Sequence, residues 1–184
     1  MSNLDQLPDN LPIPEDDGAC NHLLGLSLPS IQLLTTNGQG IDFSTLRSVV
    51  IYCYPMTGRP DMPQPDGWEQ IPGAKGCTPQ SCSFRDRYSE LQALGSEVYG
   101  LSTQTTDYQQ EAKNRLHLPF DLASDNALSF IKALNLPTFQ VEDMQLSKRV
   151  TLIAKNGIIT KVFYPVFPPD RNAGQVIEFL RKQN

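Results

Sequence analysis

Apolar residues recur along this chain with strand-like spacing in some stretches and with helical spacing in others. A continuous apolar run, Val49–Tyr54, is β-branched and aromatic, so it predicts a strand covered on both faces. Before it, Ile31–Thr36 and Ile41–Phe43 flank Asn37-Gly38, a dipeptide typical of tight hairpin turns. Ser44–Arg47 predicts a short helical turn. The chain is therefore expected to open with a β-hairpin and then a central strand.

A helix is predicted to begin at Thr78, because threonine followed by proline is a common N-cap and first-turn pair. The helix should continue to Gly95, since glycine often ends helices. Its apolar side chains recur at helical spacing: Phe84, Tyr88, Leu91 and Leu94.

Strand and helix patterns alternate through the rest of the chain. Thr106 and Gln109 form a capping-box pattern, which predicts a helix that ends at Leu116. The remaining predicted elements are a strand over Glu97–Leu101, a short strand over Phe120–Leu122, a short helix over Asn126–Leu134, a hairpin of Arg149–Ala154 with Ile158–Phe163 about Asn156-Gly157, and a final helix striped by Ala173, Val176, Ile177 and Leu180. This order predicts an α/β protein with a thioredoxin-like fold, in which a mixed β-sheet is covered by helices on both faces and carries an N-terminal β-hairpin extension.

A long proline-rich loop separates the central strand from the helix predicted at Thr78. Neither helix nor β-ladder can persist there, because the loop carries Pro55, Pro60, Pro63, Pro65 and Pro72 with several glycines. We assign residues 56–75 to a Pro-rich insertion; long loops inside compact domains are usually functional or disordered. The predicted organisation is an N-terminal segment over residues 1–24 and one domain over residues 25–184.

The composition argues against some classes of binding partner and indicates a cellular compartment. The formal net charge is −5, the basic residues are scattered, and no apolar stretch is long enough to cross a bilayer. Neither nucleic acid nor a membrane is therefore expected as a partner. The first 17 residues lack the basic and apolar regions of a signal peptide, so a cytoplasmic protein is expected. In a reducing compartment, the four cysteines are expected to be catalytic, metal-bound or buried.

Cys77 directly precedes the predicted helix start. Free backbone N–H groups and the positive end of the helix dipole favour an anion at that position. We therefore expect its thiolate, the nucleophilic form of cysteine, to be stabilised. Lys75 adds a positive charge nearby. The alternative is a small buried apolar residue without reactivity, the usual role of a free cysteine.

Cys82 lies in the same predicted helix as Cys77. In an intact helix their Cα atoms are roughly 8.6 Å apart, whereas a disulfide needs less than about 7 Å. A bond between them would therefore require the first helical turn to unwind. Zinc is the alternative for a cysteine pair, but no second pair lies nearby, and His22 and His117 are in unrelated segments.

The segment Gly76–Asp86 resembles the active-site helix of the Q-type peroxiredoxins, also called bacterioferritin comigratory proteins. These proteins are a branch of the alkyl hydroperoxide reductase and thiol-specific antioxidant superfamily. Tyr52–Pro55 is similar to the strand and proline that lead into their active site, and Arg149–Ile153 is similar to the strand that bears their arginine. The correspondence runs from about Gly25 to Leu180.

This resemblance implies a thiol-dependent peroxidase that reduces hydrogen peroxide and organic hydroperoxides. Cys77 would attack the peroxide and become a sulfenic acid, Cys82 would resolve it as an intramolecular disulfide, and Arg149 would polarise the site. Thioredoxin or a similar dithiol would recycle the enzyme, and no metal or organic cofactor is implied. Because the resolving cysteine lies in the same chain, a monomer or weak homodimer is expected.

Two features depart from the family pattern. Relatives usually carry a hydroxyl residue three positions before the peroxidatic cysteine, where this chain has Ala74, and they lack the long insertion. Thr57, close after Pro55, would supply the hydroxyl if the insertion loops out and returns. Otherwise Thr57 is an ordinary turn residue, and substrate choice and rate are the properties most affected.

The remaining candidates have simpler interpretations. Cys53 lies in the predicted central strand and is expected in the core. Cys20 lies in a polar segment and is expected to be an idle exposed thiol or an intermolecular partner. Arg149 has an alternative role as a surface ion-pair partner, although the apolar residues after it place it at the start of a buried strand.

Two other functions stay open at this point. A thioredoxin-like disulfide oxidoreductase normally has two residues between its cysteines, whereas four separate Cys77 from Cys82. A non-enzymatic redox sensor would use the same pair as a switch that exposes a partner-binding surface, such as the Pro-rich insertion. Slow peroxide turnover with a long-lived disulfide would distinguish the sensor from the peroxidase.

Overall fold

The computed structural model describes residues 4–183. Residues 1–3 of the predicted N-terminal segment and residue 184 of the predicted domain lie outside this range. The strands are β1 (Leu33–Thr35), β2 (Gly40–Ile41), β3 (Ser48–Cys53), β4 (Glu97–Ser102), β5 (Leu122–Ser124), β6 (Thr138–Val141), β7 (Met144–Ser147), β8 (Val150–Lys155) and β9 (Ile158–Phe163). The helices are α1 (Cys77–Asp86), α2 (Tyr88–Ala93), α3 (Thr106–Leu116), α4 (Ser129–Leu134) and α5 (Asn172–Lys182), and 3₁₀ turns lie at Phe43–Thr45, Trp68–Gln70 and Pro169–Arg171.

Seven strands form one mixed sheet in the order β2-β1-β5-β4-β3-β8-β9. β4 is parallel to both of its neighbours, β3 and β5, and the other neighbouring pairs in this sheet are antiparallel. The predicted hairpins about Asn37-Gly38 and Asn156-Gly157 are confirmed, and so is the interior position of the Val49–Tyr54 strand. The N-terminal hairpin extends the sheet at one edge, where β1 pairs with β5.

Side chains of β3 alternate between two apolar cores on opposite faces of the sheet. Val49 and Ile51 lie in the core that α4 and residues 20–28 cover. Val50 and Tyr52 lie in the core that α1, α2, α3 and α5 cover. The predicted α/β architecture with helices on both faces is therefore confirmed.

The helix that carries the cysteine pair begins earlier and ends sooner than predicted. α1 starts at Cys77, and its N-cap is Gly76, whose φ of 112° lies in the left-handed region that favours glycine. Thr78 is therefore part of the first turn and not the cap. The helix is interrupted at Arg87, so the predicted helix up to Gly95 is two helices. Both bury apolar residues against the same face of the sheet, which keeps the apolar spacing continuous across the break.

The start of α3 also differs from its prediction. Its N-cap is Thr105, whose Oγ1 accepts a hydrogen bond from the Tyr108 backbone N–H at 3.4 Å. The predicted capping box of Thr106 with Gln109 is therefore wrong. Gln109 is fully buried, and its side-chain amide donates to a backbone carbonyl of β5 at 2.8 Å. A tertiary hydrogen bond thus replaces the predicted local one.

Two short elements begin later than predicted. β5 starts at Leu122, because Phe120 buries its ring beside the helices without joining the strand ladder. α4 starts at Ser129, because the carboxylate of Asp125 accepts hydrogen bonds from two backbone N–H groups at the beginning of this helix, at 3.1 and 2.9 Å. The residues from Asn126 onward form the approach to that cap.

A small β6–β7 hairpin is absent from the predicted elements. It turns at Glu142, where φ is 52°, and at Asp143, a pair that lacks the Asn-Gly signal. The Pro-rich insertion forms a loop as predicted, apart from its 3₁₀ turn, and it packs against this hairpin. The third apolar cluster that joins them contains Met56, Trp68, Ala74, Val141 and Leu146.

Candidate active site

Cys77 opens α1 and is almost fully enclosed, with 3% of its surface exposed. The N-cap residue, Gly76, has no side chain that could hydrogen-bond to the start of this helix. Its first backbone N–H groups can therefore interact with a negative charge. The Sγ atom of Cys77 lies 3.6 Å from the carbonyl oxygen of Ala74, which accepts a hydrogen bond from the thiol.

The guanidinium group of Arg149 contacts the sulfur of Cys77, with Nη2 at 3.2 Å from Sγ. Nη2 also faces the carbonyl oxygens of Gly73, Ala74 and Lys75 at 3.1, 3.1 and 3.4 Å. Arg149 is 3% exposed, so its interpretation as a surface ion-pair partner is wrong. Among the ion pairs of residues 4–183, none involves this arginine. Its charge is therefore free to act on the sulfur.

A buried chain of polar side chains holds the guanidinium in place. Nη1 of Arg149 donates to Gln80 Oε1 at 2.5 Å, and Gln80 Nε2 donates to Asn172 Oδ1 at 3.1 Å. Thr151 Oγ1 donates to the same Asn172 oxygen at 2.7 Å. The chain thus joins α1, β8 and α5 around the arginine. Sequence reasoning missed these residues; the one available signal is that Gln80 follows Cys77 by about one helical turn.

Lys75 does not supply the charge at the sulfur that its position in the sequence suggests. Its Nζ atom lies 2.7 Å from Oε1 of Glu69, and the lysine is 7% exposed. The carboxylate offsets the positive charge within the insertion. The cation at the Cys77 sulfur is therefore Arg149.

Thr57 is fully buried, and both of its chain neighbours line the small cavity beside Cys77. Its Oγ1 has no hydrogen-bond partner among the described residues. Its backbone carbonyl accepts from Tyr108 Oη at 2.8 Å, which fixes the segment. Ala74, at the position where relatives carry a hydroxyl, packs in the third apolar cluster. Leaving a buried hydroxyl unpaired costs about 1–3 kcal/mol, which is unusual for an ordinary turn residue.

Two stacked tyrosines, Tyr52 in β3 and Tyr54 just after it, lie in the core that α1 covers. Burial raises the pKa of Tyr52 well above its usual range and also raises the pKa of Tyr54, so both stay protonated at neutral pH. Tyr52 Oη lies 3.1 Å from Ser81 Oγ, and its ring stacks on Phe84 with 4.5 Å between centroids. These contacts hold the middle of α1 against the sheet.

Cys82 lies further along α1 and is half-buried. Burial is the main cause that raises the pKa of its thiol; Arg85 lowers that pKa, and the carboxylates of Asp5 and Asp86 raise it. α1 is continuous from Cys77 to Cys82, so the two sulfurs cannot bond in this state, and all four cysteines are free thiols.

The other two cysteines are buried on the opposite face of the sheet. Cys53 is fully buried as predicted, and burial raises the pKa of its thiol. Cys20 is 6% exposed in the same core, and burial raises the pKa of its thiol to about 12. The prediction that Cys20 is exposed or pairs with another molecule is therefore wrong. It fails because Leu23 and Leu28 carry this segment into the core.

A metal site needs several ligating side chains close together, and a membrane span needs a long apolar helix. Within residues 4–183, no three His, Cys, Asp or Glu side chains come together in a way that could hold a metal ion. The ring of His22 instead hydrogen-bonds the backbone carbonyl of Leu134 at 2.8 Å. In the same range, no helix has the length and apolar character needed to cross a bilayer.

Comparison with known proteins places this chain in a family. The family profile described as Redoxin matches residues 23–177, which is most of the chain. The chain belongs to the redoxin family. This redoxin is 27% identical over 159 residues to peroxiredoxin Q, chloroplastic, of Oryza sativa subsp. japonica, and the match covers 85% of this chain and 66% of the relative. The redoxin thus spans just under two thirds of the length of that relative.

Solved peroxiredoxin structures share the fold. Peroxidoxin BcpB from Mycobacterium tuberculosis matches this redoxin with a TM-score of 0.73 and 21% identity, over 89% of this chain and 99% of that chain. Peroxiredoxin Q from Xanthomonas campestris matches with a TM-score of 0.66 and 20% identity, over 85% and 96% of the two chains. The predicted thioredoxin-like fold and the resemblance to Q-type peroxiredoxins are therefore confirmed.

Proposed function

We propose that this redoxin is a thiol-dependent peroxidase that reduces hydrogen peroxide and organic hydroperoxides at Cys77. The observation that carries the proposal is the contact between the Arg149 guanidinium and the Cys77 sulfur, 3.2 Å apart at the start of α1. A buried cation without a carboxylate partner stabilises the thiolate and also the negative charge that develops on a departing oxygen. The names of the rice and Xanthomonas relatives support the same activity.

The first chemical step consumes one peroxide and one proton. The Cys77 thiolate attacks one peroxide oxygen, and the O–O bond breaks with its electron pair on the other oxygen. That oxygen takes up a proton and leaves as water or an alcohol, while the sulfur becomes a sulfenic acid. Arg149 and the first N–H groups of α1 stabilise the charge on the leaving oxygen, and Thr57 Oγ1 is the hydroxyl that we assign to orient the peroxide.

The second step joins the two cysteines. The Cys82 thiol condenses with the Cys77 sulfenic acid, which releases water and forms a disulfide. Because both sulfurs start in one continuous helix, the first turn of α1 must open and the Gln80–Arg149 hydrogen bond must break. An external dithiol, thioredoxin or a similar protein, then reduces the disulfide by exchange and becomes oxidised itself.

The same proposal includes the setting in which the enzyme works. We place it in the cytoplasm or a similarly reducing compartment, because its cysteines are free thiols. Cys77 and Cys82 in one chain allow turnover as a monomer or weak homodimer. The catalytic domain is residues 25–184 with the insertion at 56–75, preceded by the N-terminal segment 1–24. The enclosure of Cys77 argues against a protein disulfide as the first oxidant.

A rapid-mixing titration of the reduced protein with hydrogen peroxide, with recycling by thioredoxin and its reductase, tests this function. We expect stoichiometric oxidation in the first turnover and continued peroxide consumption while the reductant lasts. A protein that forms the Cys77–Cys82 bond slowly and then accumulates it would instead be a redox sensor. A protein that oxidises dithiols without consuming peroxide would be a disulfide oxidoreductase.

Replacing Thr57 by valine is expected to slow the oxidation of Cys77 without destabilising the fold. The hydroxyl has no hydrogen-bond partner within residues 4–183, so removing it should leave the melting temperature unchanged or slightly higher. The rate constant for oxidation of Cys77 should fall about tenfold, because a hydrogen bond to a charged group is lost from the reacting complex. Thr57→Ser keeps the hydroxyl and should retain the rate. If Thr57→Val and the parent protein have equal rate constants for oxidation of Cys77, Thr57 is an ordinary turn residue.

Oxidation is expected to loosen the start of α1. Amide hydrogen exchange should rise between Gly76 and Phe84 when the disulfide forms, because the bond cannot close on an intact helix. β3 should stay protected, since it is paired on both sides. Cys82→Ser, oxidised to the sulfenic acid, is the matched control and should show no rise. Equal protection of α1 in the reduced protein and in the mapped Cys77–Cys82 disulfide would contradict the unwinding step.

A further inference from the structure

The cavity beside Cys77 is too small for an organic hydroperoxide. Its volume is about 10 Å³, which is near the lower limit for holding one water molecule. Besides Cys77, its walls include Leu4, Met56, Gly58, Trp68, Lys75 and Gly76. A peroxide that approaches through this cavity can reach the sulfur only if one of these walls moves.

One wall comes from the beginning of the described chain. We define residues 4–7 as the N-terminal strap. A Cβ atom placed on Gly58 would lie 2.6 Å from Cδ2 of Leu4, and one placed on Gly76 would lie 2.8 Å from Cδ2 of Leu7. The two glycines thus leave room for the two leucines. The strap thus lies against two glycines that line the same cavity as Cys77, and Pro169 also packs on Gly76.

The other walls belong to packed or ion-paired parts of the domain. Met56 and Trp68 belong to the apolar cluster that packs on the β6–β7 hairpin, and Lys75 is tied to a carboxylate. The strap contains neither helix nor strand, and Leu4 and Leu7 are only partly buried. Segments with few buried contacts open at the lowest free-energy cost. The strap is therefore the wall that opens most readily.

The strap also borders the second cysteine. Asp5 and Leu7 line a depression together with Pro79 and Cys82, on the outer side of α1. The same short segment thus covers the approach to Cys77 and touches the surroundings of Cys82. Movement of the strap would therefore change the surroundings of both cysteines.

We propose that the N-terminal strap is a size-selective gate that determines which hydroperoxides reach Cys77. The inference rests on the proposed peroxidase function and adds a specificity element to it. Hydrogen peroxide has two heavy atoms and needs only a small displacement of the cavity walls. A bulky alkyl hydroperoxide needs the strap to lift, so its apparent rate constant is reduced by the fraction of time that the strap is open.

Rapid-mixing rates for hydrogen peroxide and for cumene hydroperoxide in Leu4→Ala test the gate. Losing a partly buried leucine contact should raise the rate constant for cumene hydroperoxide about tenfold relative to that for hydrogen peroxide. Ile13→Ala is the matched control, because Ile13 belongs to the same N-terminal segment and is 69% exposed. It should leave the ratio unchanged. Leu4→Met keeps the volume and should behave like the parent protein.

Two outcomes would overturn the gate. An unchanged ratio in Leu4→Ala and in the Leu4→Ala/Leu7→Ala double variant would mean that another wall opens. Equal acceleration with both peroxides would mean that the strap limits access without regard to size.

Alkylation distinguishes failure of the gate from failure of the peroxidase assignment. In a Cys82→Ser background, Cys77 is labelled with iodoacetamide or with a bulky dye-linked maleimide, and the site is identified by peptide mapping. Leu4→Ala should accelerate the bulky reagent more than the small one. This result in a protein that consumes no peroxide would support the strap as a size filter and overturn the proposed function. Loss of this size dependence would overturn the gate, whatever the peroxidase rate.

Discussion

Replacing Cys77 by serine is expected to abolish peroxide consumption, while Cys82→Ser completes one oxidation and then stops. Serine at position 77 lacks the polarisable thiolate that attacks the peroxide, although it occupies the same place beside Arg149. Serine at position 82 leaves the attack intact and removes only the partner for the disulfide. Single-turnover kinetics and intact mass will show one added oxygen on the Cys82→Ser protein and none on the Cys77→Ser protein.

The other cysteines provide the control for this experiment. Cys20→Ala and Cys53→Ala should keep full turnover in proteins that fold, because both thiols lie on the opposite face of the sheet. If Cys77→Ser keeps the peroxidase rate and Cys82→Ser loses it, the roles of the two cysteines are reversed. Turnover that survives in both variants would place the nucleophile elsewhere.

Arg149→Ala is expected to slow oxidation of Cys77 by at least about tenfold, since loss of one preorganised donor costs about 10²–10³ in comparable oxyanion sites. The variant should also melt at a lower temperature. The buried carbonyl groups of Gly73, Ala74 and Lys75 lose their shared donor, and Gln80 loses its partner. The second-order rate constant for peroxide, measured well below the melting temperature, separates the two effects.

Arg149→Lys keeps the positive charge but changes the arrangement of the hydrogen-bond donors. An ammonium group cannot reproduce the fork that reaches both Gln80 and the sulfur, so the rate should lie between those of the parent protein and Arg149→Ala. Arg181→Ala, which removes an exposed arginine from the last turn of α5, is the surface control and should keep the parent rate. A parent-like rate in a folded Arg149→Ala protein would remove this arginine from the site.

Sequence reasoning succeeded where local chemistry determines the structure. The apolar run at Val49–Tyr54 forms an interior strand because each face of the sheet has its own apolar core. The two Asn-Gly pairs form hairpin turns, and Gly38, Asn156 and Gly157 adopt the positive φ that these residue types tolerate. The motif that begins at Cys77 places a cysteine at a helix N-terminus, and the spacing to Cys82 predicts two sulfurs too far apart to bond in an intact helix.

The features that were missed depend on contacts between distant segments. Cys20 lies in a polar stretch, and only the packing of its neighbours against the sheet buries it. Gln80 has no local sequence signal, because its partners are Arg149, just before β8, and Asn172, at the start of α5. The capping-box pattern at Thr106 fails because a buried hydrogen bond in the sheet takes the glutamine side chain. No local pattern contains these partners.

Trp68 gives this redoxin a built-in optical reporter. It is the only tryptophan in the chain, it is 3% exposed, and it lines the cavity that contains the Cys77 sulfur. Under excitation selective for tryptophan, the emission therefore comes from one indole in the wall of this cavity. The thiolate places a negative charge near that indole, the sulfenic acid and the disulfide are neutral but differ in atoms and in the shape of α1, and lifting of the strap admits water to it. Each stage of the cycle should consequently have its own emission intensity and wavelength, which permits unlabelled observation of successive steps in one mixing experiment.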